Sequence, residues 1–316
     1  MPKISIIIPV FGVEKYIEKC ARSLFEQSLD DIEYIFVNDC TKDGSIDILK
    51  KVMKDYPRCC HQVSILHHKT NQGLPTARQT GIEHASGEYI LHCDSDDWIE
   101  TNACELLYAE AKKSNADMVI SDYYRVNGDS FYKCNACNPN ISKEQIVYKM
   151  YFQYVPYMVW NKLIRRKLYD NIEEYPVYTH GEDFALILQL SYSADIITYL
   201  PKAFYYYRLA SDTAYHVENE ENRLRKFYAA VENARLIERF ISKKNVNYHI
   251  KNGLMWLKNC QRGKLVPLLK QDKYYKLWKN TFPEINVKLF FNSDLKLKHK
   301  IKYFLIYFRL LTFQEK

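Results

Sequence analysis

Strand-like and helix-like segments alternate along the first part of the chain, and this alternation is the strongest constraint on the fold. Runs rich in β-branched residues, such as KISIIIPV and EYIFVND, are each followed by a segment with apolar residues at helical spacing. Repeated β–α units of this kind predict a mostly parallel sheet with helices on both faces. Because ligands of such sheets bind at the carboxyl ends of the strands, functional residues are expected there.

Regular alternation stops after Tyr124, and from about Glu218 the apolar residues recur at helical spacing. We therefore predict two regions. Residues 1–216 form an α/β domain that carries the ligand site. Residues 217–316 form a helical, basic region, in which lysine recurs through KQDKYYKLWKN and LKLKHKIKYF.

The predicted strand EYILHC runs directly into three carboxylates, Asp94, Asp96 and Asp97. Carboxylates this close raise each other's pKa, so a positive group is expected among them. Two carboxylates at a strand end suit a hard cation, Mg²⁺ or Mn²⁺, which takes its remaining ligands from substrate phosphates. The alternative is a solvated acidic turn that caps a helix beginning near Ile99.

The turn after the first strand, PVFGVEKY, contains a single glycine. A dinucleotide-binding turn needs G-x-G-x-x-G and a P-loop needs G-x-x-x-x-G-K-S/T, so neither phosphate-binding loop is present here. A bound diphosphate would therefore need a cation to meet its charge.

A series of segments in a definite order resembles the family-two inverting glycosyltransferases of the GT-A fold. The segments are PVF, VNDCTKDGS, NQGLPTARQTGIEHASGEYILHCDSDDW, WNKLIRR, HGEDF and YYYR. The resemblance implies a Rossmann-like, mostly parallel sheet flanked by helices. It also implies transfer of one sugar from a nucleotide-diphosphate donor, usually a UDP-sugar, to an acceptor hydroxyl.

The resemblance further implies which residues contact the donor. Asp39 matches the acid that accepts a hydrogen bond from uracil, and Arg208 matches a basic position near the diphosphate. The full set of implied donor-binding residues is Pro9, Phe11, Glu14, Asp39, Asn71, Gly73, Arg78, Asp94, Ser95 and Arg208. Phe11-Gly12 replaces the usual Tyr-Asn, Cys40 replaces a common Gly, and Gln79 replaces a common Asn, which alters contacts to the base and the sugar.

Metal and catalytic roles follow from the same resemblance. Asp94 and Asp96 match the D-x-D metal motif, and His216 matches a further metal ligand of this fold. Asp183 matches the base that takes the proton from the acceptor hydroxyl in a single inverting displacement. Two alternatives stand beside this interpretation: Glu182 is the base, or both acids only stabilise the first turn of a helix.

The carboxyl-terminal segment LKLKHKIKYFLIYFRLLTFQEK places Ile301, Phe304, Leu305 and Phe308 at helical spacing, with lysines on either side. It is too short to span a bilayer. The pattern indicates an interfacial helix on an anionic membrane leaflet. The alternative is a terminal helix that packs on the rest of the protein with its lysines in solvent.

Bulk features narrow the function. The net charge of +7 is concentrated in the second half of the chain, which argues against a nucleic-acid binder. Nine cysteines without disulfide-like spacing and a start unlike a secretory signal indicate a cytoplasmic protein. We predict a metal-dependent glycosyltransferase, peripheral at the inner face of the membrane, that acts in surface glycan assembly on a glycan acceptor of the lipid-linked kind. The rivals are a silent nucleotide-sugar-binding module and a nucleotidyltransferase, whose glycine-rich loop is missing.

Overall fold

A computed structural model describes residues 1–137, 142–209 and 219–310. Its strands are β1 (Ile4–Val10), β2 (Ile32–Asn38), β3 (Val63–His67), β4 (Tyr89–His92), β5 (Trp98–Ile99), β6 (Met118–Asn127), β7 (Ser130–Cys134), β8 (Lys162–Arg165) and β9 (Ile197–Arg208). Its helices are α1 (Ile17–Phe25), α2 (Ser45–Asp55), α3 (Leu74–His84), α4 (Ala103–Ser114), α5 (Lys143–Tyr151), α6 (Glu182–Ser193), α7 (Glu220–Ser242), α8 (Tyr248–Arg262), α9 (Asp272–Asn280) and α10 (Leu297–Tyr307). The prediction of an α/β fold is confirmed.

The strands form one mixed sheet in the order β3-β2-β1-β4-β8-β6-β9-β5, with β7 paired to β6. The first four strands of this order pair in parallel, as the β–α alternation predicts. The β4–β8, β6–β8, β6–β7 and β5–β9 pairs are antiparallel. Because β1, β2 and β4 run in the same direction, the residues that follow them meet at one edge of the sheet.

Helices cover both faces of the sheet. Alternate residues of β1 show this directly, since Ile6 and Ile8 pack with α1 and α4 whereas Ile7 packs with α3. Gly81 allows α3 to approach closely, because a Cβ at this position would lie 2.4 Å from the Ile7 side chain. Helix α3 is thereby fixed against the central strand.

The segment after the acidic cluster is a strand and not a helix. Trp98 and Ile99 pair with Tyr206 and Tyr205 of β9, and the next helix, α4, begins at Ala103. The alternative in which the acids cap a helix at Ile99 is therefore wrong. The acidic turn instead connects β4 to β5, and β5 is the last strand in the sheet order.

Helices α7 to α10 pack around an apolar cluster of their own, separate from those on the two faces of the sheet, which includes Phe227, Trp278 and Tyr303. Helix α7 also contributes Leu236 and Ile237 to the core beneath the sheet, so the helical region is continuous with the α/β region. The boundary at residue 216 lies outside the described residues and stays a prediction. Among the helices in the described ranges, none is long and apolar enough to cross a bilayer.

Candidate active site

The acidic turn after β4 is anchored from below by two buried side chains. The Ser95 hydroxyl donates to the Pro9 carbonyl at 2.6 Å, which joins the turn to the end of β1. Asp97 accepts from the Tyr205 hydroxyl at 2.7 Å and from the Arg208 backbone N–H at 2.7 Å. Burial, followed by the charges of Asp96 and Asp94, raises the pKa of Asp97 well above its usual range. Ser95 and Asp97 therefore hold the turn in place.

Asp94 and Asp96 are the members of the cluster that face solvent. Their side chains keep 24% and 30% of their exposure. Arg78 Nη2 lies 2.8 Å from Asp94 Oδ1, and Arg208 Nη2 lies 3.4 Å from Asp96 Oδ2. Burial and then Asp94 raise the pKa of Asp96, and Arg208 opposes this. The positive groups expected among the acids are thus, within the protein itself, two arginines.

Arg78 links the acidic turn to the start of α6. This buried guanidinium donates to Asp183 Oδ1 through Nη1 and to Asp94 Oδ1 through Nη2, and it lies 3.7 Å from Glu182 Oε1. Burial by itself would lower the pKa of Arg78, but Asp183, Asp94 and Glu182 outweigh it and raise the pKa. A single cation therefore holds together carboxylates from two distant parts of the chain.

Asp183 and Glu182 are the first two acids of α6 but differ in what they contact. Asp183 Oδ2 accepts from the Val159 N–H at 3.4 Å, whereas Glu182 folds back and accepts from the His180 N–H. Burial raises the pKa of Asp183, and Arg78 counteracts it. Burial and then Asp183 raise the pKa of Glu182 to about 7. Asp183 therefore faces the acidic turn, while Glu182 stabilises its own turn.

The loop beside Asp183 is held by a buried lysine. Lys162 Nζ donates to the Pro156 and Met158 carbonyls at 2.8 and 2.7 Å and to Asn161 Oδ1 at 2.7 Å. Burial lowers the pKa of Lys162 to about 7. The same loop supplies the Val159 N–H that Asp183 accepts, so Lys162 supports this contact from behind.

Asp39 organises the loop that leads into α3. Its Oδ1 accepts from His68 Nδ1 and the Gln72 N–H, both at 2.7 Å, and its Oδ2 accepts from the Gly73 N–H at 2.8 Å. Gly73 has a φ of 88°, a conformation that favours glycine, and α3 begins directly after it. Asn71 donates to the Asp39 carbonyl at 3.4 Å. Sequence patterns gave no reason to single out His68, since only the fold brings it to Asp39.

The turn after β1 completes the edge of the sheet. Glu14 Oε2 accepts from the Gly44 N–H at 2.7 Å, which fixes the turn to the start of α2. Phe11 is 54% exposed, an unusual state for an aromatic ring at the end of a core strand. At the opposite side, Arg208 stacks over the Tyr16 ring at 3.4 Å. The structure thus brings Phe11, Asp39, Arg78, Asp94, Asp96, Asp183 and Arg208 to one edge of the sheet.

His216, the third predicted metal ligand, lies outside the described residues. In the ranges that are described, no three His, Cys, Asp or Glu side chains converge as a metal site. Asp94 and Asp96 nevertheless fit a cation that uses two protein carboxylates, because both are partly exposed and adjacent at the strand end.

Comparisons with known proteins show which family the sequence resembles and which fold it shares. A family model described as Glycosyl transferase family 2 matches residues 5–173. The glycosyltransferase GlyA of Streptococcus pneumoniae serotype 4 is 30% identical over 230 residues, covering 69% of this chain and 32% of that protein. The poly(ribitol-phosphate) beta-glucosyltransferase of Bacillus spizizenii is 31% identical over 235 residues, covering 73% of this chain and 36% of that protein. The matched part of the chain thus spans about a third of the length of these two relatives.

Among solved structures, S. aureus TarS 1-349 in complex with UDP-GlcNAc superposes with a TM-score of 0.60 at 20% identity. The superposition covers 87% of this chain and 83% of that one. At this level of identity the likeness establishes the fold, which is the predicted GT-A type.

Proposed function

The chain belongs to glycosyl transferase family 2, and we propose that it transfers one sugar from a nucleotide-diphosphate sugar to an acceptor hydroxyl. The observation that carries the proposal is the Arg78 bridge. It sets Asp183, a carboxylate able to accept a proton, opposite Asp94, a carboxylate at the predicted diphosphate side. An inverting displacement needs a carboxylate base for the acceptor proton and positive charge near the departing diphosphate, and Arg78 joins the residues proposed for these two roles.

We assign the donor to the edge formed by β1, β2 and β4. The exposed ring of Phe11 offers a stacking surface for a nucleobase, and the loop held by Asp39 lies beside it. Pro9, Glu14, Asn71, Gly73 and Ser95 contribute by shaping these turns, since their polar groups already bond within the protein. A UDP-sugar is the proposed donor, supported by the UDP-GlcNAc complex of TarS.

The proposed reaction is a single displacement. The acceptor oxygen forms a bond to the anomeric carbon as the bond from that carbon to the diphosphate oxygen breaks, and the electron pair leaves with the diphosphate. The acceptor proton passes to Asp183, whose two oxygens each keep acceptor capacity beyond their bonds to Arg78 and Val159. Arg78 lies between this base and Asp94. Its positive charge favours the ionised form of the Asp183 carboxylate and lies near the proposed position of the donor's phosphates.

Asp94 and Asp96 are the residues that would hold Mg²⁺ or Mn²⁺. When bound, such an ion acts as a Lewis acid that stabilises the charge of the departing diphosphate. Arg208, stacked on Tyr16 and bonded to the Asp96 carbonyl at 3.2 Å, would stand beside the same phosphates.

We expect donor turnover to fall at least about 100-fold in EDTA and to recover with Mn²⁺, since Lewis-acid stabilisation is worth several kcal/mol. Asp96→Asn should show the same loss at saturating metal. The measurement is release of nucleoside diphosphate with and without the chelator. If turnover is unchanged in EDTA, the phosphate charge would be neutralised by Arg78 and Arg208 without a metal ion.

The proposal is tested by screening a panel of nucleotide-sugars for release of nucleoside diphosphate, with the Asp183→Asn variant run in parallel. Release that depends on Asp183 supports a transferase. A silent binding module would bind a donor without release. A nucleotidyltransferase would release pyrophosphate from a nucleoside triphosphate and a sugar phosphate, and either outcome would overturn the proposal.

We propose that the acceptor is a surface glycan carried on a lipid and that α10 brings the protein to an anionic membrane. Leu297, Ile301 and Phe304 of α10, together with Phe308 directly after it, form one exposed stripe, between 44% and 71% accessible, whereas Tyr303 and Ile306 face inward. Lysines flank the stripe at positions 296, 298, 300 and 302. The helix therefore packs on the protein by one face and presents basic and apolar groups on the other, as interfacial helices do.

We expect the double variant Ile301→Glu/Phe304→Glu to bind vesicles containing phosphatidylglycerol at least about tenfold more weakly than the wild type. Each apolar side chain gains roughly 1.5–3 kcal/mol when it is fully buried. If both side chains gain only half of this on the vesicle, the pair still contributes about 1.5 kcal/mol, which is about tenfold in binding affinity. Vesicle sedimentation measures the effect. Phe131→Glu, which changes an equally exposed ring on β7, is the matched control. Equal sedimentation of the double variant and the wild type would refute the membrane surface.

A further inference from the structure

The turn that carries the proposed base has an unusual backbone. His180 and Gly181, immediately before α6, have φ values of 126° and 85°. A histidine at such a φ is disfavoured by contacts of its own Cβ, and residues in sparsely populated regions cost about 1–3 kcal/mol unless their surroundings hold them. Contacts made by neighbouring groups must therefore stabilise it.

Asn233 of α7 is the group that holds this turn from outside. Its side-chain amide donates one hydrogen to the Tyr178 carbonyl at 2.8 Å and one to the His180 carbonyl at 2.9 Å. The side chain is 2% exposed, so solvent does not replace these bonds. A Cβ on Gly181 would lie 3.9 Å from Asn233 Cβ, which places the two residues in direct contact.

Two side chains hold this turn, and they come from different parts of the chain. Glu182 accepts the His180 N–H from within the turn, whereas Asn233 reaches it from the helical region about fifty residues later in the chain. Asparagine suits this place because its NH₂ group supplies two donors to two carbonyls. Leucine supplies none, and aspartate would set a carboxylate against the two carbonyl oxygens. The residue type therefore matters as much as its size.

We propose that Asn233 is a positioning residue for Asp183, so that the helical region takes part in catalysis through the shape of the 178–183 turn. This inference rests on the proposed function, because it assumes that Asp183 is the base. Loss of the amide would let the turn relax toward ordinary φ values. Asp183 would then move relative to Arg78 and Val159, the groups that orient its two oxygens. A displacement of about 1 Å at such a site costs on the order of 100-fold in rate.

The test compares Asn233→Leu and Asn233→Asp with Asn292→Leu. Asn292 is also 2% exposed and also donates through its amide to a backbone carbonyl, that of Asn252 at 3.0 Å, but it lies in the helical region away from the turn. We expect kcat per folded molecule to fall about 10- to 100-fold in both Asn233 variants, with the donor KM within about twofold of wild type. Asn292→Leu should lower thermal stability but keep kcat.

Amide hydrogen exchange provides a readout that does not depend on turnover. The backbone amides of residues 180–183 should exchange at least about tenfold faster in Asn233→Leu than in Asn292→Leu. Asn233→Asp, which keeps the volume of the side chain, serves where the leucine variant does not fold. Equal kcat and equal exchange in the Asn233 and Asn292 variants would overturn the inference. If wild type turns over no donor, the proposed function fails, and the exchange result still decides whether Asn233 holds the turn.

Discussion

Asp183→Asn is expected to lower kcat by about 10²–10⁴-fold, the usual contribution of a general base, with little change in donor affinity. The substitution keeps the shape but leaves one acceptor oxygen for the two donors, Arg78 and the Val159 N–H, and it removes the carboxylate that accepts the proton. Single-turnover transfer to an acceptor measures the chemical step, and calorimetric titration measures donor binding. Wild-type turnover by this variant would falsify the assignment of the base.

Glu182→Gln is the matched control, since it alters the neighbouring acid. We expect kcat to be nearly unchanged, because the Glu182 carboxylate already accepts from the His180 backbone. Turnover should also fall as the pH drops through the pKa of Asp183. Burial raises that pKa, so the acid limb should lie above the ordinary aspartate value of about 3.9. A loss confined to Glu182→Gln would transfer the role to Glu182.

The Glu182→Gln variant should also change how the free energy of unfolding depends on pH. The pKa of Glu182 is raised to about 7 in the folded protein, so the folded state binds more protons than the unfolded state between the ordinary value and pH 7. Stability of the wild type therefore decreases as the pH rises through this window. Glutamine has no proton to lose, and the decrease should be smaller in Glu182→Gln.

Arg78→Met should destabilise the protein by about 3–5 kcal/mol at neutral pH and abolish turnover. Removing one partner of a buried ion pair leaves the other charges uncompensated, and here three carboxylates surround the same guanidinium. Arg78→Lys should recover only part of the loss, because an ammonium cannot donate through two separate nitrogens to Asp94 and Asp183. Urea unfolding measures the free energy of unfolding.

Arg165→Met is the control for this prediction. Arg165 also bridges two acids, lying 2.9 Å from Asp117 and 3.5 Å from Glu88, but it pairs with Tyr89 at the start of β4 and so lies at the other end of that strand from Asp94. We expect it to lower stability while kcat per folded molecule is retained. The Arg78→Met penalty should shrink at low pH, since protonated carboxylates no longer need the cation. A loss below about 1 kcal/mol, or one that does not depend on pH, would contradict the bridge.

Much of the site can be anticipated from the chain itself. The acids after β4, Asp39 after β2 and the GED segment at a helix start were all selected from pattern and resemblance, and they lie at one edge of the sheet. The positive charge among the acids has a source that the sequence pattern did not indicate. Sequence reasoning assigned that role to a divalent ion, whereas the protein already supplies Arg78 and Arg208. The resemblance implies that Arg78 contacts the nucleotide, and nothing local in the sequence indicates that its side chain reaches α6.

Other features were invisible to local patterns. His68 pairs with Asp39 across 29 residues, and Asn233 reaches the 178–183 turn across 53 and 55 residues. In the sequence, Asn233 is an ordinary polar residue in a long amphipathic helix. How α10 packs was likewise visible only in three dimensions, since Tyr303 and Ile306 face inward and the other face is exposed, while its binding to a membrane stays a proposal.

The order of strands and helices, and the location of carboxylates at the ends of parallel strands, were determined by the sequence. The reason is that hydrophobic period and strand direction are local properties of the chain. The pairings inside the site were decided by tertiary structure. Arg78 meets Asp94 and Asp183 across separations of 16 and 105 residues, and such contacts depend on how α3 and α6 pack against the sheet. Charge neutralisation at this edge is therefore a property of the packed protein, because only packing brings the guanidinium and both carboxylates within bonding distance.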